Sequence, residues 1–404
     1  MSETYFQKGF GLKSEVGPIL ARTYRSPVIE RLKALGYEAN AGGIHFKLAK
    51  EFGFCYGVDR AVDYAYQTRQ RFADRRVFLS GEIIHNPDVN TRLREMGICI
   101  LDDSRDPVAR FREVGAGDVV ILPAFGVSVP ELQHLQEKQC VLVDTTCGSV
   151  LNVWKKVHYY ARDGYTVVIH GKHYHEETRA TASQVGRHPG GHYLVVRDMS
   201  EARLVCDYIE ASGTREEFMT RFARAASPGF DPDLHLRRIG VANQTTMLAR
   251  ESLAIGEEVG RAVARRYGDE YRAENFRTFD TICSATQDRQ DAVQELLRES
   301  LDAMVVIGGY NSSNTISLAA LCAERVPTYH IEDATSIEPE TRRIIFRPAG
   351  VKHSEASAVD WIPDHSGVRI GLTAGASTPN NKIGETVARI FATRGIDVRI
   401  VDAA

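Results

Sequence analysis

The sequence predicts an α/β fold made of three similar units with parallel sheets, facing one another around a pseudo-threefold axis. Three stretches of the chain carry the same order of features: an apolar or β-prone run, a cysteine, and then a helical pattern. Two of them also share the tetrapeptide Asp-Thr-x-Cys, at 144–147 and 280–283. Recurrence of a motif together with its flanking elements indicates repeated structural units.

The chain before the first cysteine stretch is predicted to be an N-terminal extension, residues 1–44. It is polar, and residues 17–36 have the apolar spacing of one helix. The units that follow are predicted at 45–140 with Cys55, at 141–278 with Cys147, and at 279–404 with Cys283 and a C-terminal tail. Residues 207–236 are a charged, amphipathic insertion in the second unit.

Each unit continues with two further strands that open into polar loops. The first of these loops contains His85, His175 or Ser313, which lie 30, 28 and 30 residues after the preceding cysteine. The second loop lies around Phe125, Thr245 or Ser377. Alternating strands and helices predict parallel sheets, whose ligands gather beyond the carboxyl ends of the strands. We therefore expect the three cysteines to meet at one centre, surrounded by these loops.

Composition excludes several classes of partner. The 50 Lys and Arg residues are balanced by 53 Asp and Glu residues, which gives no general reason to bind nucleic acid or a membrane surface. No apolar run approaches the roughly 20 residues that span a bilayer, and the N-terminus is unlike a signal peptide. Seven scattered cysteines, an odd number, argue against a disulfide framework. A cytoplasmic protein with a small-molecule ligand fits these features.

The three repeated cysteines are interpreted as ligands of an iron-sulfur cluster. Zinc is the alternative, but zinc sites usually contain close pairs such as C-x2-C, and the sequence has none. A cluster of four irons held by three thiolates leaves one iron open for substrate. A single free cysteine is more often an ordinary buried residue, and we accept that reading for Cys99, Cys140, Cys206 and Cys322.

Polar residues of the loops suit an anionic substrate. His85, His175 and Glu177 offer cationic donors and a proton source, although a lone loop histidine is more often only a cap or a solvated residue. The run 311–314 (NSSN) precedes a helix, where hydroxyls, amides and helix N–H groups bind anions, and Ser377 offers similar chemistry. The alternative is that these residues only cap a helix N-terminus and bind no ligand.

At this point the chain resembles the family of 4-hydroxy-3-methylbut-2-enyl diphosphate reductase, over about residues 45–380. The resemblance rests on motifs in the family's order: FCYGVDRA, EIIHN, DTTC, HGKHYHEET, ANQTTM, DTICSATQDRQ, NSSNT and TAGAST. The N-terminal YFQKGFGLK and the insertion at 207–236 are similar to the longer form of the family. Phe125 stands where the compact form has a diphosphate-binding His, and Gly148 stands where the family commonly has Pro.

The resemblance implies a cloverleaf of three units around one 4Fe-4S cluster, held by Cys55, Cys147 and Cys283 with an open apical iron. It also implies which side chains hold the diphosphate: His85, His175, Ser312, Ser313, Asn314 and Ser377. Glu177 and Thr245 would lie beside the substrate's hydroxyl group, with Glu177 as proton donor.

The activity implied is reductive dehydroxylation of 4-hydroxy-3-methylbut-2-enyl diphosphate to isopentenyl and dimethylallyl diphosphate, the last step of the methylerythritol phosphate pathway. Since the sequence lacks a flavin or nicotinamide fingerprint, we expect an external, ferredoxin-like electron donor. Two rival hypotheses are a hydro-lyase that uses the open iron only as a Lewis acid, and an iron-sulfur sensor. The sensor is disfavoured because no DNA-binding motif or basic face is present.

Overall fold

The computed structural model describes residues 4–101 and 106–398, which form two compact units. Unit 1 contains the described residues of Met1–Lys8, Phe72–Ile83 and Ile98–Cys283. Unit 2 contains those of Gly9–Arg71, Ile84–Gly97 and Ser284–Ala404. Both units interleave strands with helices, as the sequence predicts.

Within the described ranges the strands are β1 (Tyr5–Phe6), β2 (Glu38–Ala41), β3 (Ile44–Leu48), β4 (Val77–Leu79), β5 (Ile98–Ile100), β6 (Val119–Leu122), β7 (Val141–Asp144), β8 (Thr166–His170), β9 (Tyr193–Val196), β10 (Ile239–Asn243), β11 (Phe276–Thr278), β12 (Ala303–Ile307), β13 (Thr328–Ile331), β14 (Ile337–Glu338), β15 (Arg343–Phe346), β16 (Ala356–Val359) and β17 (Val368–Ala374).

The α-helices within the same ranges are α1 (Lys13–Tyr24), α2 (Pro27–Ala34), α3 (Tyr56–Arg71), α4 (Pro87–Glu95), α5 (Pro107–Arg110), α6 (Val129–Glu137), α7 (Gly148–Arg162), α8 (Glu176–Val185), α9 (Met199–Ile209), α10 (Arg215–Phe222), α11 (Pro232–His235), α12 (Ala249–Tyr267), α13 (Asp269–Asn275), α14 (Ser284–Leu296), α15 (Ser313–Ala323) and α16 (Asn380–Ala392). None of these helices is both long and apolar enough to cross a bilayer.

The described residues of unit 1 form two sheets that are parallel throughout. Their strand orders are β1-β7-β6-β4-β5 and β11-β10-β8-β9. Strands β6, β7, β8 and β10 are buried at every position, as expected for parallel strands covered by helices on both faces. The predicted α/β architecture with parallel sheets is confirmed.

In unit 2, the part of the chain that the structure describes forms one mixed sheet and one small antiparallel sheet. The mixed sheet has the order β13-β12-β17-β3-β2, with only the β2–β3 pair antiparallel. The small sheet has the order β14-β15-β16. The strand that precedes Cys55, β3, therefore pairs with β17 near the other end of the chain.

The other two repeated cysteines also follow a strand of one sheet and precede a helix that leads to a different sheet. Strand β7 before Cys147 belongs to the sheet of β4–β6, and β11 before Cys283 belongs to the sheet of β8–β10. Each repeated cysteine thus follows a strand of one sheet and precedes a helix that leads to a strand of another sheet. The division into three units at 45, 141 and 279 stays a prediction.

The N-terminal extension differs from the prediction of a single helix over 17–36. The structure has two helices, α1 and α2, because the chain is extended at Arg25 and Ser26 before Pro27. A proline disfavours helical geometry in the residue before it and is well tolerated at the start of a helix. Ser26 caps α2 by accepting a hydrogen bond from the Ile29 N–H at 3.4 Å.

The insertion at 207–236 belongs to the core of the second sheet of unit 1. Its aromatic residues Phe218, Phe222 and Phe230 are at most 5% exposed and pack with the buried residues of β8–β10. Burial of these rings gives the insertion a stabilising role, since each fully buried aromatic side chain contributes roughly 2 to 3 kcal/mol.

Candidate functional site

Each of the three repeated cysteines has the same backbone environment. The N–H of Cys147 donates to the Ala124 carbonyl at 2.9 Å, and the N–H of Cys283 donates to the Thr245 carbonyl at 3.3 Å. In unit 2 the N–H of Cys55 donates to the Ala376 carbonyl at 3.2 Å. All three acceptors lie in the second polar loops that the sequence analysis identified.

The Asp-Thr-x-Cys motif forms the same hydrogen-bonded turn in both places. The aspartate accepts from the N–H two residues ahead, Asp144 from Thr146 and Asp280 from Ile282, each at 2.9 Å. The threonine hydroxyl donates to the last carbonyl of the neighbouring strand, from Thr145 to Leu122 at 2.6 Å. At the second motif Thr281 makes the equivalent bond to Asn243 at 2.9 Å. The repeated sequence is therefore a turn that places a cysteine at a helix start.

The accessibility of the cysteines separates the predicted ligands from the rest. Cys55, Cys147 and Cys283 are partly exposed and precede helices α3, α7 and α14 directly. Cys140, Cys206 and Cys322 are buried, and burial raises the pKa of Cys140 to about 11 and of Cys206 to about 12. Protonated, enclosed thiols of this kind serve packing. Cys99 is exposed on β5.

The donor set of the three partly exposed cysteines fits a metal cluster. A cysteine ligates metals as its thiolate, and a helix N-terminus favours negative charge. Gly148, the first residue of α7, has no neighbour within 4 Å of the position its Cβ would occupy. The position therefore has room for a side chain.

Unit 1 brings Glu177 and Thr245 together. The backbone N–H of Thr245 donates to Oε1 of Glu177 at 2.6 Å, and both residues are at most 4% exposed. Glu177 lies in the first turn of α8, and Thr245 follows β10. Two loops from neighbouring parallel strands thus meet at the same sheet edge, as predicted.

His175 is the N-cap of α8 and is 7% exposed. Its Nδ1 accepts the Glu177 backbone N–H at 3.2 Å, so the neutral ring carries its proton on Nε2. The Phe125 ring meets the His175 ring edge to face, with centroids 6.0 Å apart. Phe125, which stands where the compact form has a diphosphate-binding His, therefore packs against His175, a predicted diphosphate ligand.

Unit 2 brings the predicted serines and asparagine together at the start of α15. The Ser377 hydroxyl lies 3.4 Å from the Ser312 hydroxyl, and Ser312 caps α15 through the Thr315 N–H. Oδ1 of Asn314 accepts from the Ala376 N–H at 2.8 Å. These side chains are at most 7% exposed and surround a helix N-terminus, a geometry suited to phosphate.

His85 enters the same unit 2 cluster through its backbone. Its carbonyl accepts the Ser377 hydroxyl at 3.2 Å, and it also lies 2.6 Å from where a Cβ of Gly309 would be. Only a glycine at 309 permits this approach, because a Cβ there would overlap the His85 carbonyl. Sequence reasoning assigned no role to Gly309.

Two other polar residues of unit 1 escaped the sequence analysis. Oε1 of Gln244 accepts from the Thr178 hydroxyl at 3.0 Å and from the Lys172 N–H at 3.2 Å, tying the Glu177 helix to the Thr245 loop. Tyr5 donates to Asp144 of the first Asp-Thr-x-Cys turn at 2.5 Å. The ANQTTM motif already contained Gln244, whereas nothing local to Tyr5 indicated its partner.

Comparison with known proteins places this geometry in a family. The model of the LytB protein family matches residues 46–391. This chain belongs to the LytB family. Relatives named 4-hydroxy-3-methylbut-2-enyl diphosphate reductase include one from Thermosynechococcus vestitus, 47% identical over 98% of this chain and 96% of the relative. Another, from Gloeobacter violaceus, is 48% identical over 98% of this chain and 94% of the relative.

Solved structures agree with the LytB assignment. The chain is similar to a structure titled (E)-4-hydroxy-3-methyl-but-2-enyl diphosphate reductase, the terminal enzyme of the non-mevalonate pathway. The TM-score is 0.52 at 28% identity, covering 86% of this chain and 98% of the other. A reductase structure from Plasmodium falciparum has a TM-score of 0.61 at 20% identity over 85% and 86% of the two chains, and supports the fold. The resemblance predicted from the motifs is confirmed.

Proposed function

We propose that this LytB-family chain catalyses the reductive dehydroxylation of 4-hydroxy-3-methylbut-2-enyl diphosphate. The reaction consumes two electrons and two protons, breaks the allylic C–O bond, and releases water with isopentenyl or dimethylallyl diphosphate. Near-full-length similarity to relatives named for this reductase supports the assignment. The observation that carries it is the shared environment of the three cysteines, each at a helix start and each hydrogen-bonded to a second polar loop.

Cys55, Cys147 and Cys283 are the proposed ligands of one 4Fe-4S cluster. Their partial exposure and helix-start positions support this choice over the three buried cysteines. When bound, such a cluster with three protein ligands supplies electrons and one open iron that polarises the substrate's hydroxyl group. Seven free cysteines also suit a reducing compartment such as the cytoplasm.

The diphosphate is proposed to bind at the start of α15. Ser312, Ser313 and Ser377 offer hydroxyl donors, and the α15 N-terminus adds backbone N–H groups and a favourable dipole. The side chains of Asn314, His85 and His175 complete the proposed donor set. With its Nδ1 occupied by the Glu177 N–H, His175 presents Nε2–H as a donor.

Glu177 is proposed to deliver the proton with which the hydroxyl leaves as water. The Thr245 N–H holds its carboxyl group, and Glu177 is 2% exposed. A carboxyl group with a fixed position and little water around it is suited to general acid catalysis. The Thr245 side chain is proposed to contact the same hydroxyl group of the substrate.

The electrons are proposed to come from an external, ferredoxin-like protein. Leu151 and Phe279, four residues from Cys147 and Cys283, are 39% and 47% exposed. Lys156 lies over the Phe279 ring, 3.9 Å from its centroid. An exposed aromatic ring with a lysine packed over it suits a transient, acidic redox partner.

The function is tested under anaerobic conditions, with the cluster reconstituted and iron measured. Consumption of hydroxymethylbutenyl diphosphate is followed with dithionite and a viologen as reductant. Cys55→Ser, Cys147→Ser and Cys283→Ser should each lose turnover and iron, while Cys99→Ser, at the exposed cysteine of β5, should retain both. A stable cluster without any turnover of this substrate would contradict the proposed activity.

A further inference from the structure

The N-terminal segment adds an edge strand to the sheet that carries the first Asp-Thr-x-Cys turn. Strand β1 pairs in parallel with β7, with Tyr5 opposite Leu142 and Phe6 opposite Val143. The Leu142 N–H donates to the Thr4 carbonyl at 2.7 Å. This pairing brings a segment from the beginning of the chain to the strand that ends three residues before Cys147.

Tyr5 uses this position to hold the carboxylate of the turn. Its hydroxyl donates to Oδ2 of Asp144 at 2.5 Å. The other oxygen, Oδ1, accepts the Thr146 N–H at 2.9 Å and the Thr146 hydroxyl at 2.5 Å. Asp144, only 7% exposed, therefore connects the N-terminal strand with the residue directly before Cys147.

The chemistry of Tyr5 suits a permanent donor. Burial and the negative charge of Asp144 raise the pKa of the phenol well above its usual value of about 10, so the phenol keeps its proton at neutral pH. A phenol that donates to a carboxylate forms a charge-assisted hydrogen bond, the stronger class in proteins.

The second Asp-Thr-x-Cys motif provides a comparison within the same unit. Asp280 makes the same bond to the N–H two residues ahead, and it is exposed. No tyrosine of the described ranges donates to Asp280. The two turns share their Asp, Thr and Cys residues and their backbone pattern. The aspartate of the first turn has two added side-chain donors, the Tyr5 phenol and the Thr146 hydroxyl, and Ile282 replaces the latter in the second turn.

We propose that Tyr5 is a positioning residue that fixes Cys147 as a metal ligand through Asp144 and Thr146. The inference rests on the proposed role of Cys147 in holding the cluster. Removing the phenol hydroxyl leaves a buried carboxylate oxygen without its charge-assisted donor. The turn then has more freedom at Thr146, and the thiol of Cys147 is held less firmly.

The test uses the full-length, metal-free protein, so its outcome does not depend on a bound cluster. Wild type and Tyr5→Phe are treated with iodoacetamide, and mass spectrometry follows alkylation of Cys147 and Cys283 in the same sample. We expect the ratio of the Cys147 rate to the Cys283 rate to rise about three- to tenfold in Tyr5→Phe, the range that loss of one hydrogen bond allows. A ratio unchanged from wild type would overturn the proposal.

Tyr208→Phe is the matched control, because its hydroxyl donates to Asp233 at 2.6 Å elsewhere in the same unit. It should leave the ratio unchanged; an equal rise in this control would mean general loosening and would also overturn the proposal. Hydrogen exchange of the Thr146 and Ile282 amides gives a second readout, in which only Thr146 should exchange faster in Tyr5→Phe. Iron binding by wild type is measured separately: its absence would refute the cluster and leave the alkylation result valid.

Discussion

The backbone N–H of Thr245 donates to Oε1 of Glu177 at 2.6 Å, which joins the loop after β10 to the first turn of α8. This bond fixes the position of the carboxyl group. A buried carboxyl group held in one position can deliver its proton to one substrate atom. We therefore expect the proposed proton transfer to be lost when the acid is replaced, even if the fold around it is unchanged.

Replacing Glu177 with Gln should abolish most of the turnover and keep the fold. The amide oxygen can still accept from the Thr245 N–H, but the side chain no longer has an acidic proton to deliver. We expect kcat to fall about 100-fold or more, the usual contribution of a general acid. Iron content and the KM for substrate should stay close to wild type, measured under anaerobic conditions.

The control for this variant is Glu216→Gln, at an exposed glutamate in the first turn of α10 in the same unit. Its kcat should remain within about fivefold of wild type, since it changes the local charge without removing the proposed acid. Wild-type turnover by Glu177→Gln would refute the role of that residue.

Replacing Ser377 with Ala should weaken substrate binding with little effect on kcat. Its hydroxyl lies among the donors at the α15 N-terminus, 3.4 Å from Ser312. Loss of one donor to a charged diphosphate costs about 1 to 2 kcal/mol, so KM should rise roughly five- to thirtyfold. Steady-state kinetics and competition by inorganic diphosphate measure both quantities. Ser317→Ala, one helical turn after Ser313 in α15, should leave KM unchanged. Equal effects of Ser377→Ala and Ser317→Ala would argue against a specific contact between Ser377 and the substrate.

Sequence patterns predicted the local features of the site and missed its long-range ones. The cysteine at each strand-to-helix step, the Glu177 helix and the 311–314 cluster depend on residues close in the chain, where hydrogen bonds and periodicity leave a visible pattern. The pairing of β3 with β17 and the bond from Tyr5 to Asp144 join residues far apart in the chain. An alternating or apolar pattern identifies a strand but does not identify its neighbour. Pro27 signals the end of one helix and the start of another. The apolar spacing over 17–36 nevertheless favoured the prediction of a single helix.

Buried His170 should make the stability of unit 1 depend on pH. Burial lowers its pKa to about 4, while its Nδ1 lies 2.8 Å from the Ser252 hydroxyl. The unfolded chain then binds a proton below about pH 6.5 and the folded chain only near pH 4, so stability falls as pH drops through that window. The loss should be roughly 3 kcal/mol at most, and nothing further is lost from this group below pH 4.

This dependence is measured by urea unfolding between pH 7 and pH 4 for wild type and His170→Asn. Asparagine removes the titrating ring and keeps a polar partner for Ser252. The variant should be less stable than wild type at pH 7, and the difference should shrink as pH falls. His365→Asn, at a histidine 54% exposed, should leave the wild-type pH dependence unchanged. A constant difference between wild type and His170→Asn would exclude His170 as the source.

Reversing the charge of Lys156 should impair reduction by a ferredoxin and spare reduction by small molecules. Lys156 covers the exposed ring of Phe279, which lies four residues before Cys283 in the chain. An acidic protein partner is attracted to this surface, and its association rate depends on local charge and on salt. Lys156→Glu should therefore lower the rate with reduced ferredoxin about tenfold at low salt, with less difference at high salt. The rate with dithionite and viologen should equal that of wild type.

The control is Arg203→Glu, an equal change of charge on an exposed residue of α9, which should leave both rates unaltered. A slower rate with dithionite and viologen in Lys156→Glu would assign the lysine to the site itself.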